Sequence, residues 1–180
     1  MNENERLQLI DLARNSITNS FNPQTHSDLV YQNNPVFMNE RAVFVTLHKA
    51  GNLRGCIGHM QARMPLYKAV IEMATAAAFE DPRFPSVKEE ELDEIEIEIS
   101  VLSPMERIFD YNKIRMGIDG VYIKQEFRSG VYLPQVATDT GWDRETFLRS
   151  LCSSKAGLPA DAYKDPNTEI YIYQVEKFSE

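Results

Sequence analysis

The residues best equipped for chemistry stand in one hexamer, Leu53-Arg54-Gly55-Cys56-Ile57-Gly58. On a strand alternate side chains share a face, so Arg54 and Cys56 point the same way. A guanidinium beside a thiol favours the nucleophilic thiolate. The chain then enters a loop that opens a helix near Pro65, and a helix N-terminus aimed back at the hexamer would favour an anion there. Gly55 and Gly58 carry no side chain to keep a ligand from the backbone. Together these features read as a thiol or anion-binding site. The same residues have a plainer reading: cysteine packs as a small hydrophobe, and a strand glycine admits a bulge or a close neighbour.

The other candidates carry less chemistry each. His59 follows the hexamer and is a base only if its ring meets Cys56. His48 closes the preceding strand, and His26 lies in an Asn-rich arm. Three scattered histidines and two cysteines, Cys56 and Cys152, give no metal-ligand spacing and no disulfide framework. Glu96 and Glu98 share a strand face, which is either solvated or a cleft wall. Asp81 and Arg83 flank Pro82, as a helix stop with a local ion pair or as a cleft rim. Lys155 sits in a helix's last turn, where a cation suits the dipole. No glycine-rich phosphate loop occurs, so no cofactor is expected.

The elements that must position these groups follow from periodicity. Glu3 to Asn19 reads as an amphipathic helix, with Leu7, Ile10, Leu12, Arg14 and Ile17 alternating with polar positions at near-helical spacing. Phe21 to Glu40 reads as an arm over the surface, punctuated by Pro23 and Pro35. Arg41–His48 and Leu53–Ile57 form a hairpin about Lys49–Asn52. A helix runs from Pro65 to Phe79 and stops at Asp81-Pro82. Ile95 to Leu102 alternates strictly, with isoleucines and Val101 on one face. A second hairpin spans Val121–Pro134, a helix runs from its N-cap Asp143 to Lys155 and ends at Gly157, and a last strand covers Glu169–Val175. Hairpin and helix recur at an offset of 78 residues (Val43 to Val121, Leu53 to Val131, Pro65 to Asp143). The expectation is an α+β protein with an N-terminal helix and two related hairpin–helix–strand repeats sharing one sheet. It is one domain over residues 1–180, or two intimately packed subdomains of about 1–110 and 111–180.

Composition fits that picture. The chain has 180 residues, 43% hydrophobic and 26% charged, with a formal net charge of −8. This suits a globular chain and opposes phosphate-backbone binding, which needs clustered Lys and Arg. No apolar run reaches the roughly 20 residues of a membrane span. The opening Met-Asn-Glu-Asn-Glu-Arg has no signal-peptide layout, so a cytoplasmic protein with reduced cysteines is expected.

Several separated motifs occur in order: Phe44-Val45-Thr46, the Cys56 hexamer, Asp81-Pro82-Arg83-Phe84-Pro85, Glu98-Ile99-Ser100-Val101-Leu102, Leu133-Pro134-Gln135-Val136-Ala137, Gly141-Trp142-Asp143 and Lys155-Ala156-Gly157-Leu158. With these motifs the chain resembles the AMMECR-domain family, from about Ala42 to Val175, in its shorter prokaryotic form. The resemblance implies a mixed, barrel-like sheet built from two β-rich repeats and a cleft lined by the hexamer. It implies Arg54, Gly55, Cys56 and Gly58 as the site, with Asp81, Arg83 and Glu98 as cleft neighbours; His59 is outside the motif. It also implies association with a Memo-like protein and a radical-SAM protein. Two functions are therefore expected. One is an enzyme acting on a small anionic or carbonyl-bearing substrate, with Cys56 as nucleophile and Arg54 as its electrostatic partner. The alternative is a non-catalytic ligand-binding or adaptor protein working with those partners.

Overall fold

A computed structural model of the chain describes residues 1–23 and 29–180; His26 lies outside the described residues. The elements in chain order are α1 (Glu3–Asn19), α2 (Leu29–Gln32), α3 (Pro35–Met38), β1 (Val43–Lys49), β2 (Asn52–Gly58), α4 (Leu66–Phe79), β3 (Ile95–Leu102), β4 (Glu106–Ile108), β5 (Gly120–Gln125), β6 (Arg128–Tyr132), α5 (Pro134–Thr140), α6 (Arg144–Ser150), β7 (Glu169–Tyr173) and β8 (Val175–Ser179). The class is α+β, as expected. The chain divides into two compact units, Met1–Leu102 with Glu176–Glu180, and Ser103–Val175.

The first unit is a sheet of order β2-β1-β3-β8 with helices on one face. Strict alternation decides which face. Val43, Val45 and Leu47 of β1 and Ile95, Ile97, Ile99 and Val101 of β3 are buried, and β1 pairs antiparallel with β3 in register Val45↔Ile99. Against them pack Ala69, Val70, Met73, Ala74 and Ala77 of α4, whose small side chains let the helix axis come close. α1 packs beside α4 and against β3, burying Leu9, Ile10, Leu12, Ala13 and Ile17. Leu7, expected in that stripe, is exposed instead, and Leu9 and Ala13 take its place. The α1 start is fixed by reciprocal bonds between Asn2 and Glu5. Its middle is fixed by Arg14, which donates to the carbonyls of Leu92 and Ile95 and to the Glu180 carboxylate.

The second unit is a separate sheet of order β4-β7-β5-β6 with its own core around Val121, Ile123, Phe147, Leu148 and Leu151. One shared, mixed, barrel-like sheet was expected from the resemblance; the described residues form two open four-stranded sheets, because each hairpin closes on its own helix and buries its own apolar face. Between β6 and α6 lies α5, begun by Pro134 and ended by Gly141 at φ +66°; no helix lies between β2 and α4. α6 starts at its Asp143 cap and stops at Ser150. A single wider turn carries the chain to Lys155, with Ala156 N–H donating to the Leu151 carbonyl. The last expected strand is two: β7 ends at Tyr173, Gln174 donates to Ser103 Oγ, and β8 joins the first sheet beside β3.

Candidate functional site

Cys56 lies on β2, an edge strand of its sheet. Its antiparallel partner on β1 is Thr46, and Thr46 in turn faces Glu98 on β3. Paired residues of a sheet share a face, so Cys56, Thr46 and Glu98 form one cross-strand row on the face away from the helices. β8 extends it: Lys177 pairs with Glu98 at 2.7 Å. The Thr46 hydroxyl donates to the Cys56 sulfur at 3.2 Å, and Cys56 is half-buried.

The backbone of Cys56 is held from the other side by the turn that ends α4. Pro82 occupies the second position of a turn closed by Phe84 N–H on the Asp81 carbonyl. The buried Asp81 carboxylate accepts the Cys56 N–H at 2.9 Å, the Arg83 N–H at 3.1 Å, and Arg83 Nε and Nη2 at 2.9 and 2.7 Å. Arg83 Nη2 also donates to the Cys56 carbonyl at 3.1 Å. Both outward backbone groups of Cys56 are thus satisfied by side chains of one turn, which cover a free sheet edge as a neighbouring strand would. Arg83 holds the Asp81 carboxyl well below its usual range, aided by the Cys56 N–H, although burial opposes this. The Arg83 guanidinium is raised in turn, chiefly by Asp81, with a smaller contribution from the Cys56 sulfur beside it.

Arg54 behaves otherwise than expected. Its Nε and Nη2 grip Glu91 at 3.1 and 3.0 Å, and its Nη1 donates to the Pro85 carbonyl at 2.9 Å. Glu91 also takes Lys49 Nζ at 3.2 Å and the Lys88 N–H at 3.0 Å. Arg54 foremost, then the Lys88 N–H, lower the Glu91 carboxyl to about 2. Arg54 therefore staples the loop after α4 to the hairpin, and the cation beside the thiol is Arg83.

The glycines and the helix are corrected as well. A Cβ on Gly55 would meet the Ala77 carbonyl oxygen at 2.1 Å, so this glycine admits the C-terminal half of α4. A Cβ on Gly58 would meet the Phe44 ring at 2.3 Å. Protein atoms fill the space that was expected to expose backbone to a ligand. The end of α4 near the hexamer is its C-terminal half; its first N–H, on Leu66, donates to the Asn39 carbonyl instead. The N-terminus of α4 therefore does not serve Cys56.

The His59 N–H donates to the Val43 carbonyl, and strand alternation turns its ring to the face opposite Cys56; both ring nitrogens are buried without a partner among the described residues. His48 shares the Thr46 face opposite Glu96. Lys155 Nζ lies 5.9 Å from the centre of the Tyr132 ring. Of the residues that the resemblance named, Asp81 and Arg83 meet the Cys56 backbone and Glu98 stands two strands away on the same face, whereas Thr46 and Glu91 were missed. Thr46 was legible as the polar position of β1, given the register; Glu91 had no local signal. Among the described residues no group of three or more His, Cys, Asp or Glu is placed to hold a metal ion, and no helix is long and apolar enough to cross a membrane.

These features define an α+β protein with a thiol-bearing sheet face whose edge is closed by an Asp-Pro-Arg turn. The sequence pattern of the AMMECR1 family matches residues 10–178, and the chain belongs to that family. It is 45% identical over 186 residues to a protein of Methanothermobacter thermautotrophicus, covering 100% of this chain and 96% of that one. It is 45% identical over 156 residues to a protein of Thermococcus gammatolerans, covering 81% of this chain and 76% of that one. Among solved structures it is similar to the uncharacterized protein PH0010 from Pyrococcus horikoshii, with a TM-score of 0.79 and 38% identity, covering 96% of this chain and 90% of that one.

Proposed function

We propose that this chain is a cytoplasmic enzyme whose Cys56 thiol adds to a small carbonyl-bearing anion, with Arg83 as the cation that receives it. The observation that carries this reading is a half-buried thiol accepting the Thr46 hydroxyl beside a guanidinium pinned by a buried carboxylate. Pinning matters because a cation already fixed in place loses no freedom when charge develops next to it. In the addition step the sulfur–carbon bond forms and the carbonyl π bond opens. The thiol proton ends on the carbonyl oxygen, giving a hemithioacetal, and no oxidant or metal is needed. Glu98, two strands from Cys56 and so roughly 9.6 Å away by strand spacing, is the carboxylate on the same row. A substrate lying over Thr46 reaches both.

The test is charge-selective alkylation of the native protein. Iodoacetate should outpace iodoacetamide at Cys56 relative to their ratio on free cysteine, and Arg83→Gln should abolish that preference. Equal relative rates in both proteins would end the reading. A binding module without chemistry is favoured by one observation: among the described contacts the sulfur has Thr46 as its hydrogen-bond partner and no base. Under that reading a carbonyl-bearing anion protects the protein thermally, and Cys56→Ser retains the protection in full.

A further inference from the structure

The second unit carries a cleft of about 330 Å³, of the size that holds small organic ligands. Its floor is apolar, from Ile108 and Ile170, which face each other across the β4–β7 pair. Tyr111 and Tyr163 form a wall edge to face, their ring centres 5.1 Å apart. At the mouth Phe109 is 90% exposed, with the Arg107 guanidinium 5.2 Å from its ring centre. Lys164 Nζ stands 5.2 Å from the Tyr163 ring.

Three features are not fully used within the fold. Arg107 makes no salt bridge among the described residues, although its charge reaches the Glu169 carboxylate and helps to lower it. Phe109 leaves a large apolar ring in water, which is the common mark of a contact surface. Thr168 is 9% exposed, lines the cleft, and its hydroxyl is buried with no hydrogen-bond partner among the described residues. The one carboxylate in the lining, Asp165, is already engaged by Gln125 and Asn167 on its two oxygens. Lys164 is occupied by Glu145 and Asp161 at 4.0 and 3.8 Å, so Arg107 is the cation left to meet a ligand.

We infer that this cleft is a binding site for a small aromatic anion: the ring lies among Phe109, Tyr111 and Tyr163, the anionic group meets Arg107, and a polar ring substituent satisfies the Thr168 hydroxyl. The assignment is independent of the Cys56 reading, since all its residues belong to the second unit.

The experiment is a titration of the full-length protein, followed by amide chemical shifts, with 4-hydroxybenzoate and its uncharged analogue 4-hydroxybenzamide. The acid should give a saturable response centred on Phe109, Tyr163 and Thr168. Arg107→Gln should weaken it about tenfold, the scale of one charge-assisted hydrogen bond. Thr168→Val should weaken it too, and the amide should bind about as poorly to the wild type as the acid binds to Arg107→Gln. Arg107 is exposed, so its variant is expected to fold as the wild type does. A response that does not saturate at millimolar ligand, that maps outside the cleft, or that is unchanged in Arg107→Gln overturns the assignment.

Discussion

Arg83 donates to the carbonyl of Cys56 while its partner Asp81 accepts the N–H of the same residue, so one ion pair closes both outward backbone groups at a single position of an edge strand. Such a position otherwise offers a donor and an acceptor to any passing strand. Asp81→Ala removes the acceptor and frees Arg83. It should cost about 3 kcal/mol, because a buried N–H and a former charge partner are left unsatisfied. It should also cause association that rises with protein concentration, as exposed edges pair. Urea unfolding measures the first effect and light scattering the second. A monodisperse, equally stable variant would show that the turn does not guard the edge.

Gly55 makes a sharper point about packing. Its φ is ordinary, yet a Cβ would stand 2.1 Å from the Ala77 carbonyl oxygen, a backbone atom that cannot swing aside. Gly51 is the reverse case: φ is +75° with open space around it. Gly55→Ala should therefore cost about 3 kcal/mol by displacing α4, and Gly51→Ala only about 1 kcal/mol of backbone strain. Denaturant midpoints of the two variants give the order, and the reverse order would refute the close approach of α4.

These contrasts show where the sequence is legible. Alternation over Ile95–Val101 announces a strand with one buried face, and that face is the one the helices of the first unit cover. Alternation alone puts Cys56 and Arg54 on one strand face, but the register shifts between Leu47 and His48, which leaves Arg54 as the extra, unpaired residue and breaks the alternation there. Their partners could not be read that way, since Arg54 meets Glu91 and Cys56 meets Asp81 only after α4 has turned the chain back. The same distance hides the reason for Gly55, which is a helix carbonyl and not a ligand. β8 was missed because its pairing with β3 joins the C-terminal residues to the middle of the chain, which local periodicity cannot register. α5 did carry local signals, Pro134 at its start and Gly141 at its end, but it is short enough to be read as a turn.

Acid stability tests the Arg54–Glu91 staple. The Glu91 carboxyl is lowered from an ordinary 4.5 to about 2 in the folded state. A depressed carboxyl binds fewer protons folded than unfolded. Its contribution is therefore complete above pH 4.5 and is lost as pH falls from there towards about 2. Glu91→Gln lacks that contribution at every pH. The stability gap between wild type and variant should be widest near neutrality and should shrink across that acid window. A gap that stays constant across the window would mean the ion pair is not the source.

The two cysteines should separate cleanly under a neutral alkylating reagent, and the separation locates the cation that matters. Cys152 is fully buried, and burial pushes its thiol up, so it should resist labelling until the protein unfolds. Cys56 is half-buried on a sheet face and should label in the native state. Mass spectrometry should then find one modified thiol in buffer and two in denaturant. Against that internal control, Arg54→Gln should leave the native labelling rate of Cys56 nearly unchanged, because its guanidinium is spent on Glu91 and the Pro85 carbonyl. Thr46→Val should change it, because the hydroxyl that donates to the sulfur is gone. If Arg54→Gln altered the rate more than Thr46→Val, the loop after α4 would have to move when released, and the staple rather than the row across the sheet would govern the thiol.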